Sequence, residues 1–234
     1  CFSNVKYSLH LIKSNNKDAL IMGLTPSDNR TENLNNFKKY SDQFEYQHQN
    51  LYNLLFERNQ HLIKSKKVAV ASANLKKVFE STFKLSSKIG FHEMSLRDLS
   101  KDTGLSMGGL YSCLTKKEDI ALMVLDIVEL VSEKNNKAAL EATDELQSLE
   151  IAIRSYLYSS TILQPWFFFL YFETRSLTQE DQIKSKNIEL NTIATLEKII
   201  QSGVDKGIFD VNSPYFVSST ILIVLQDWYL KPWK

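Results

Sequence analysis

Residues 103–120, TGLSMGGLYSCLTKKEDI, place Gly104, Gly108 and Gly109 within six positions, then pass through Tyr111 and a Lys-Lys-Glu-Asp run into apolar sequence. Glycine weakens a helix because it has the most backbone freedom to lose, so a helix here must be short and must gain something else from its small residues. The preceding residues supply a frame. Ser95 is suited to cap a short helix over SLRDLSKD, with Leu96 and Leu99 facing inward, and Gly104 can close it in the left-handed conformation. Leu105 plugs the core at the turn, and Ser106 caps a second short helix, MGGLYSCL. The pattern is a helix-turn-helix whose second helix lets backbone and side chains come close to a surface such as a groove edge.

The net charge of +1 over 234 residues conceals an uneven distribution. Residues 64–117 hold eleven Lys or Arg against four Asp or Glu, a net of +7, whereas 118–234 hold ten against seventeen. A basic block joined to an acidic one suits a polyanion partner for the first, and a solvated basic face fits the charge alone equally well. Cys1 and Cys113 are too few for a disulfide framework, which makes a reducing cytoplasm the expected compartment. The longest apolar runs, WFFFLYF at 166–172 and ILIVL at 221–225, are too short to cross a bilayer, so no membrane partner is expected.

Apolar residues recur at helical spacing over 68–88, 117–131, 148–162, 180–203 and 214–230, with glycine and proline falling mainly between these stretches. No alternating strand pattern competes, and an all-α fold is expected. Residues 13–33 are polar and turn-rich and read as a loop. Leu34, Phe37, Phe44, Leu51, Leu55 and Leu62 then define one amphipathic helix that packs on its own chain or on a second copy. The expected organisation is an N-terminal extension over 1–63, a basic helix-turn-helix domain over 64–117, and a helical domain over 118–234.

Over 90–120 the sequence resembles the tetracycline-repressor (TetR) family of bacterial transcription regulators. The run GFHEMSLRDLSKDTGLSMGGLYSCLTKKEDI carries the family's glycine-aromatic pair, its Ser/Thr before the first motif helix, its Gly-hydrophobic-Ser turn, its Gly-x-Leu-Tyr recognition helix and its Lys-Glu-x-hydrophobic start of the next helix. IIQSGVDKGIFD at 199–210 is similar to the turn before the family's last helix. Ser100 and Thr103 stand where alanine is usual, and Cys113-Leu114 replaces the common His/Tyr-Phe pair. The resemblance implies a homodimeric repressor of a palindromic double-stranded DNA operator, released by a small molecule held among the C-terminal helices.

On this reading Ser106, Met107, Gly109 and Ser112 are candidates to meet base edges, and Ser95, Tyr111 and Lys117 to fix the backbone register. For the effector, Trp166, Phe168, Phe169, Tyr171 and Phe172 crowd around a whole helical turn twice over. They describe either a fully buried central helix or the lining of an apolar site to which Tyr156 and Arg175 add polar contacts. A hydrophobic effector, acyl or aromatic, follows from the second. Cys113 reads as a small buried hydrophobe. The four histidines are scattered without ligand spacing, so no metal or cofactor is expected, and no nucleophile elbow or phosphate-cradling loop points to an enzyme. The competing reading is a helical interaction module that binds neither DNA nor ligand.

Overall fold

The computed structural model describes residues 13–14, 37–46, 48–231 and 233. In chain order they form β1 (Lys13–Ser14), α1 (Phe37–Gln43), α2 (His48–Arg58), α3 (Val68–Ile89), α4 (Leu96–Thr103), α5 (Met107–Leu110), α6 (Glu118–Leu140), α7 (Glu145–Ile162), α8 (Gln164–Glu173), a 3-10 turn (Thr174–Ser176), α9 (Gln179–Asp205), β2 (Phe209–Asp210) and α10 (Pro214–Leu230). The architecture is all-α apart from β1 and β2, which pair antiparallel with Lys13 opposite Asp210. Two compact units result, one built from 43–131 and 159–187, the other from 1–42, 132–158 and 188–234. Neither 63/64 nor 117/118 is a boundary of these units.

The unit that holds the helix-turn-helix is organised around α3. Its stripe of Ala71, Leu75, Val78 and Phe79 is fully buried, as the three-to-four spacing demands. Leu51, Tyr52, Leu55 and Phe56 of α2 are buried in the same unit, where α2 packs on α3. Trp166 of α8 stacks on Phe79, with ring centroids 4.6 Å apart and planes 18° from parallel. Phe169, one turn on, meets Phe83 and Phe91 edge-on. Burial pushes the Tyr52 phenol up to about 12, with Glu80 adding to the effect.

The other unit buries Ala139, Leu149, Ile151, Leu196, Ile199, Ile200 and Phe209 together. Gly207, at φ 69°, turns the chain back so that Phe209 lies on α9. Glu145, at the start of α7, accepts from Ser202 Oγ at 2.8 Å and from Lys206 Nζ. These two partners, Lys206 foremost, hold its carboxyl below the usual glutamate value.

Three expectations need correction. The N-terminal stripe is not one helix: α1 and α2 are separated by non-helical residues, and His48 opens α2 at φ 52°. Its halves fall in different units: Phe37 and Tyr40 of α1 touch the Tyr158 ring in one, with Phe37 still 42% exposed, whereas Leu51 and Leu55 of α2 are buried in the other. Leu34 and all of the supposed loop except 13–14 lie outside the described residues. The helix expected over 117–131 continues to Leu140, because the polar residues 133–137 interrupt the apolar stripe without interrupting helix propensity, and Ala139 returns to a core. Third, of the two alternatives left open for α8, burial all round does not hold: Trp166, Phe167, Phe169 and Leu170 are buried, while Tyr171 and Phe172 are about half exposed, at 46% and 50%.

The contact of Phe209 with Gly203 gives a direct test of packing in the second unit. A Cβ at Gly203 would fall 2.1 Å from Phe209 Cδ2. Gly203→Ala is expected to lower unfolding free energy by about 1–3 kcal/mol through overpacking, measured by urea denaturation.

Candidate nucleic-acid interface

The ends and the turn of the helix-turn-helix are tied by its own short polar side chains. Ser95 and Asp98 form a reciprocal capping box at α4: Asp98 N–H donates to Ser95 Oγ at 3.2 Å, and Ser95 N–H donates to Asp98 Oδ2 at 2.9 Å. The Ser95 hydroxyl also donates to Asp98 Oδ2, at 2.6 Å. These hydrogen bonds hold the Asp98 carboxyl below the ordinary aspartate value. Gly104 closes α4 at φ 71°, a left-handed position where a side chain would be strained. Across the turn, Ser100 Oγ donates to the Leu105 carbonyl at 2.6 Å and Leu105 N–H donates to Thr103 Oγ1 at 3.2 Å. The two residues that depart from the usual alanines therefore tie the turn. Leu105 itself is half-buried and less deeply plugged than expected.

Ser106 caps α5 by accepting from Gly109 N–H at 3.1 Å, and Ser112 Oγ donates to the Gly109 carbonyl at 2.6 Å. Leu110, Cys113 and Leu114 are buried beneath, which makes Cys113 the small core residue the sequence suggested; burial pushes its thiol up. Tyr111 is exposed at 41%. Gly108 and Gly109 have no positive φ, and an added Cβ would meet only ordinary contacts, 3.8 Å and 3.5 Å from Ser106 Oγ. The fold itself therefore does not require glycine at either position.

Two ties fix the motif to its surroundings. Ser81 Oγ and Lys84 Nζ of α3 donate to Asp102 of α4 at 2.8 Å and 2.6 Å. Lys84 foremost, then Ser81, lower the Asp102 pKa, so this stabilisation is present above about pH 4 and is lost as pH falls through the lowered native value. Lys117 departs from its expected role. Its ammonium donates to the carbonyls of Phe91, His92 and Met94 at 2.9, 2.8 and 2.9 Å, and lies 5.0 Å from the Phe91 ring centroid. All three donors are spent on the turn between α3 and α4, whose carbonyls have left the helix that would otherwise have paired them.

No family model matches the sequence, and no curated protein matches it. Solved structures do. A TetR family transcriptional regulator, PfmR from Thermus thermophilus, superposes with a TM-score of 0.57 at 22% identity, over 65% of this chain and 84% of its own. A tetR family regulatory protein from Rhodococcus RHA1 gives 0.60 at 16%, over 67% and 83%. AibR, solved with isovaleryl coenzyme A and operator DNA, gives 0.57 at 14%, over 68% and 86%.

The chain has the TetR fold. Within it, Ser95, Ser106, Met107, Gly109, Tyr111 and Ser112 lie on or beside α4 and α5, while Lys117 turns inward. The effector candidates divide. Trp166 and Phe169 are committed to α3 and the Phe91 turn, whereas Phe168, Tyr171 and Phe172 form a separate aromatic group, with Phe168 and Phe172 at 4.7 Å and Tyr171 and Phe172 at 5.3 Å. Arg175 follows on the exposed 3-10 turn. Tyr156 belongs to the other unit, where burial foremost, then Tyr229, raises its phenol well above its ordinary value.

Sequence reasoning missed a second strand of the motif's support. The backbone N–H groups of Lys64 and Ser65 both donate to the Ser112 carbonyl, at 3.0 and 3.3 Å, bringing the basic residues Lys64, Lys66 and Lys67 next to the end of α5. The basic composition of 64–117 hinted at that proximity, but nothing in the intervening sequence specified the pairing. Glu173 of α8, whose Oε1 accepts from Phe91 N–H at 3.3 Å, was likewise illegible.

Lys117→Met keeps the length of the stem and removes the three donors. It is expected to cost about 2 kcal/mol of unfolding free energy, measured by urea denaturation of the free protein, because three carbonyls lose a charged partner.

Proposed function

We propose that the chain is a homodimeric, sequence-specific DNA-binding transcription regulator, a repressor released from a palindromic operator by a hydrophobic small molecule. The observation that carries the reading is the pair Gly108 and Gly109 on α5. Neither backbone strain nor internal crowding accounts for them, so what gains from their missing side chains is a body outside the chain. That body is DNA. The two glycines sit in the segment of +7 net charge, on the second helix of a helix-turn-helix. AibR, of the same fold, was solved with operator DNA.

The second copy is supported by α10. It buries Ser218, Leu222, Leu225 and Tyr229 on one side and leaves Phe216, Ile223, Val224 and Trp228 exposed on the other, Phe216 at 66% and Ile223 at 65%. An identical helix related by a two-fold axis would cover such a stripe, and a palindromic site needs that symmetry. The group of partly buried Phe168 with half-exposed Tyr171 and Phe172, with Arg175 close by in sequence, is the face we assign to the effector; a hydrophobic acyl or aromatic compound matches its chemistry. AibR was solved with an acyl thioester of coenzyme A. The action is non-enzymatic and cytoplasmic, and among the described residues no helix is long and apolar enough to cross a membrane.

Gly108→Ala and Gly109→Ala test the central claim. Each is expected to leave stability unchanged or raise it by up to about 1 kcal/mol, since alanine is the better helix former. Each should nevertheless weaken binding to DNA selected from a random pool by tenfold or more, measured by electrophoretic mobility shift. Equal binding by wild type and both variants would remove the reading, and a flat response to every duplex would favour the helical interaction module.

Wild-type affinity should also fall steeply between about 50 and 200 mM salt as the benefit of counterion release is lost. Light scattering of the free protein is expected to give twice the 27.0 kDa chain mass.

A further inference from the structure

The recognition surface has an unusual chemical deficit. Between Ser106 and Ser112 there is no Arg, Lys, Asn, Gln, Asp or Glu, which are the side chains that pair with base edges through charged or bidentate hydrogen bonds. The one arginine between Ser95 and Lys117, Arg97, is on α4. Of the serines flanking α5, Ser112 has its donor committed, and Ser106 keeps a single hydroxyl donor, which pairs with acceptors on several bases and so selects weakly. Ser112 has donated its only hydroxyl proton to the Gly109 carbonyl at 2.6 Å, and Ser106 Oγ is held by Gly109 N–H at 3.1 Å as the cap of α5. Gly108 and Gly109 present backbone alone. Of the four residues of α5, Leu110 is fully buried, which leaves Met107, partly exposed at the first position, as the sole side chain of the helix available to a groove.

A thioether side chain cannot discriminate bases by strong hydrogen bonding, but it can discriminate by apolar contact. The one apolar group that the major groove offers on a standard base pair is the 5-methyl of thymine. Met is also flexible enough to fit against that methyl once the neighbouring glycines have let the backbone come close. We infer that α5 selects its half-site by packing Met107 on thymine methyl groups. This inference rests on the DNA-binding reading above and specifies how that site is read.

The test uses DNA selected by the wild-type protein from a random duplex pool, re-amplified once with thymidine and once with deoxyuridine triphosphate, so that the two products differ only in the 5-methyl groups. Wild type is expected to bind the uracil product on the order of tenfold more weakly, since each buried methyl contributes about a fourfold factor and a dimer reads two half-sites. Met107→Ala should bring the thymine-to-uracil ratio to within about twofold. Met107→Leu, which keeps an apolar group of similar size, should retain the preference and shows that the alanine variant has lost a contact rather than its fold. Circular dichroism melts of both variants give the same control.

Equal binding of both products by wild type, or an undiminished ratio in Met107→Ala, would overturn the inference while leaving DNA binding intact. Failure to enrich any sequence from the pool would instead overturn the DNA-binding reading, and this inference with it.

Discussion

The grip of Lys117 on the turn at 91–94 is the interaction on which the motif unit depends. One ammonium at the entrance to α6 satisfies three carbonyls that follow the end of α3, immediately before Ser95 caps α4. Three helices thus share a single charged fastening. A neutral side chain would leave those carbonyls to find water, and a carboxylate would repel them. The turn receives a further support from Glu173, which accepts Phe91 N–H, and its Phe91 ring packs against Phe169. The position of α4 is therefore set by residues from α3, α6 and α8 together, all within one compact unit.

On the proposed function, this arrangement bears on how an effector at α8 would reach α4 and α5. Phe168, Tyr171 and Phe172 are on the same ten-residue helix as Trp166, Phe169 and Glu173. A helix of that length moves as a rigid rod, so displacement of its exposed aromatic residues also displaces the ring stacked on Phe79 and the carboxylate on Phe91. A ligand need only favour one placement of α8 over another to alter the turn that precedes α4, and its effect on DNA affinity equals that difference in preference.

The sequence was most informative where local chemistry decides local structure. Ser95, Gly104 and Ser106 read as cap, closure and cap, and each has that role in the structure because capping involves residues only a few positions apart. The buried stripe of α3 and the turn at Gly207 were likewise legible, one from spacing and the other from family resemblance. What stayed hidden was long-range: the Ser112 carbonyl is met by amides 47 and 48 positions earlier, and α1 and α2, on either side of their break, belong to two separate units. Lys117 shows the intermediate case. Its identity and position were correct for the family pattern, but a lysine near an expected anion has no local signal to say that its charge is already committed to carbonyls.

Cys113 offers a consequence of a different kind. It is completely buried under α5, and burial raises its thiol pKa, so in the closed motif it meets no alkylating reagent in its reactive thiolate form. Modification at this position requires α5 to lift from its support. The labelling rate of the peptide containing Cys113, followed by mass spectrometry so that Cys1 does not contribute, therefore measures the opening equilibrium of the structure over this thiol, when opening and closing outpace the chemistry. The chain carries, in one sulfur atom, an internal gauge of how firmly α5 is seated.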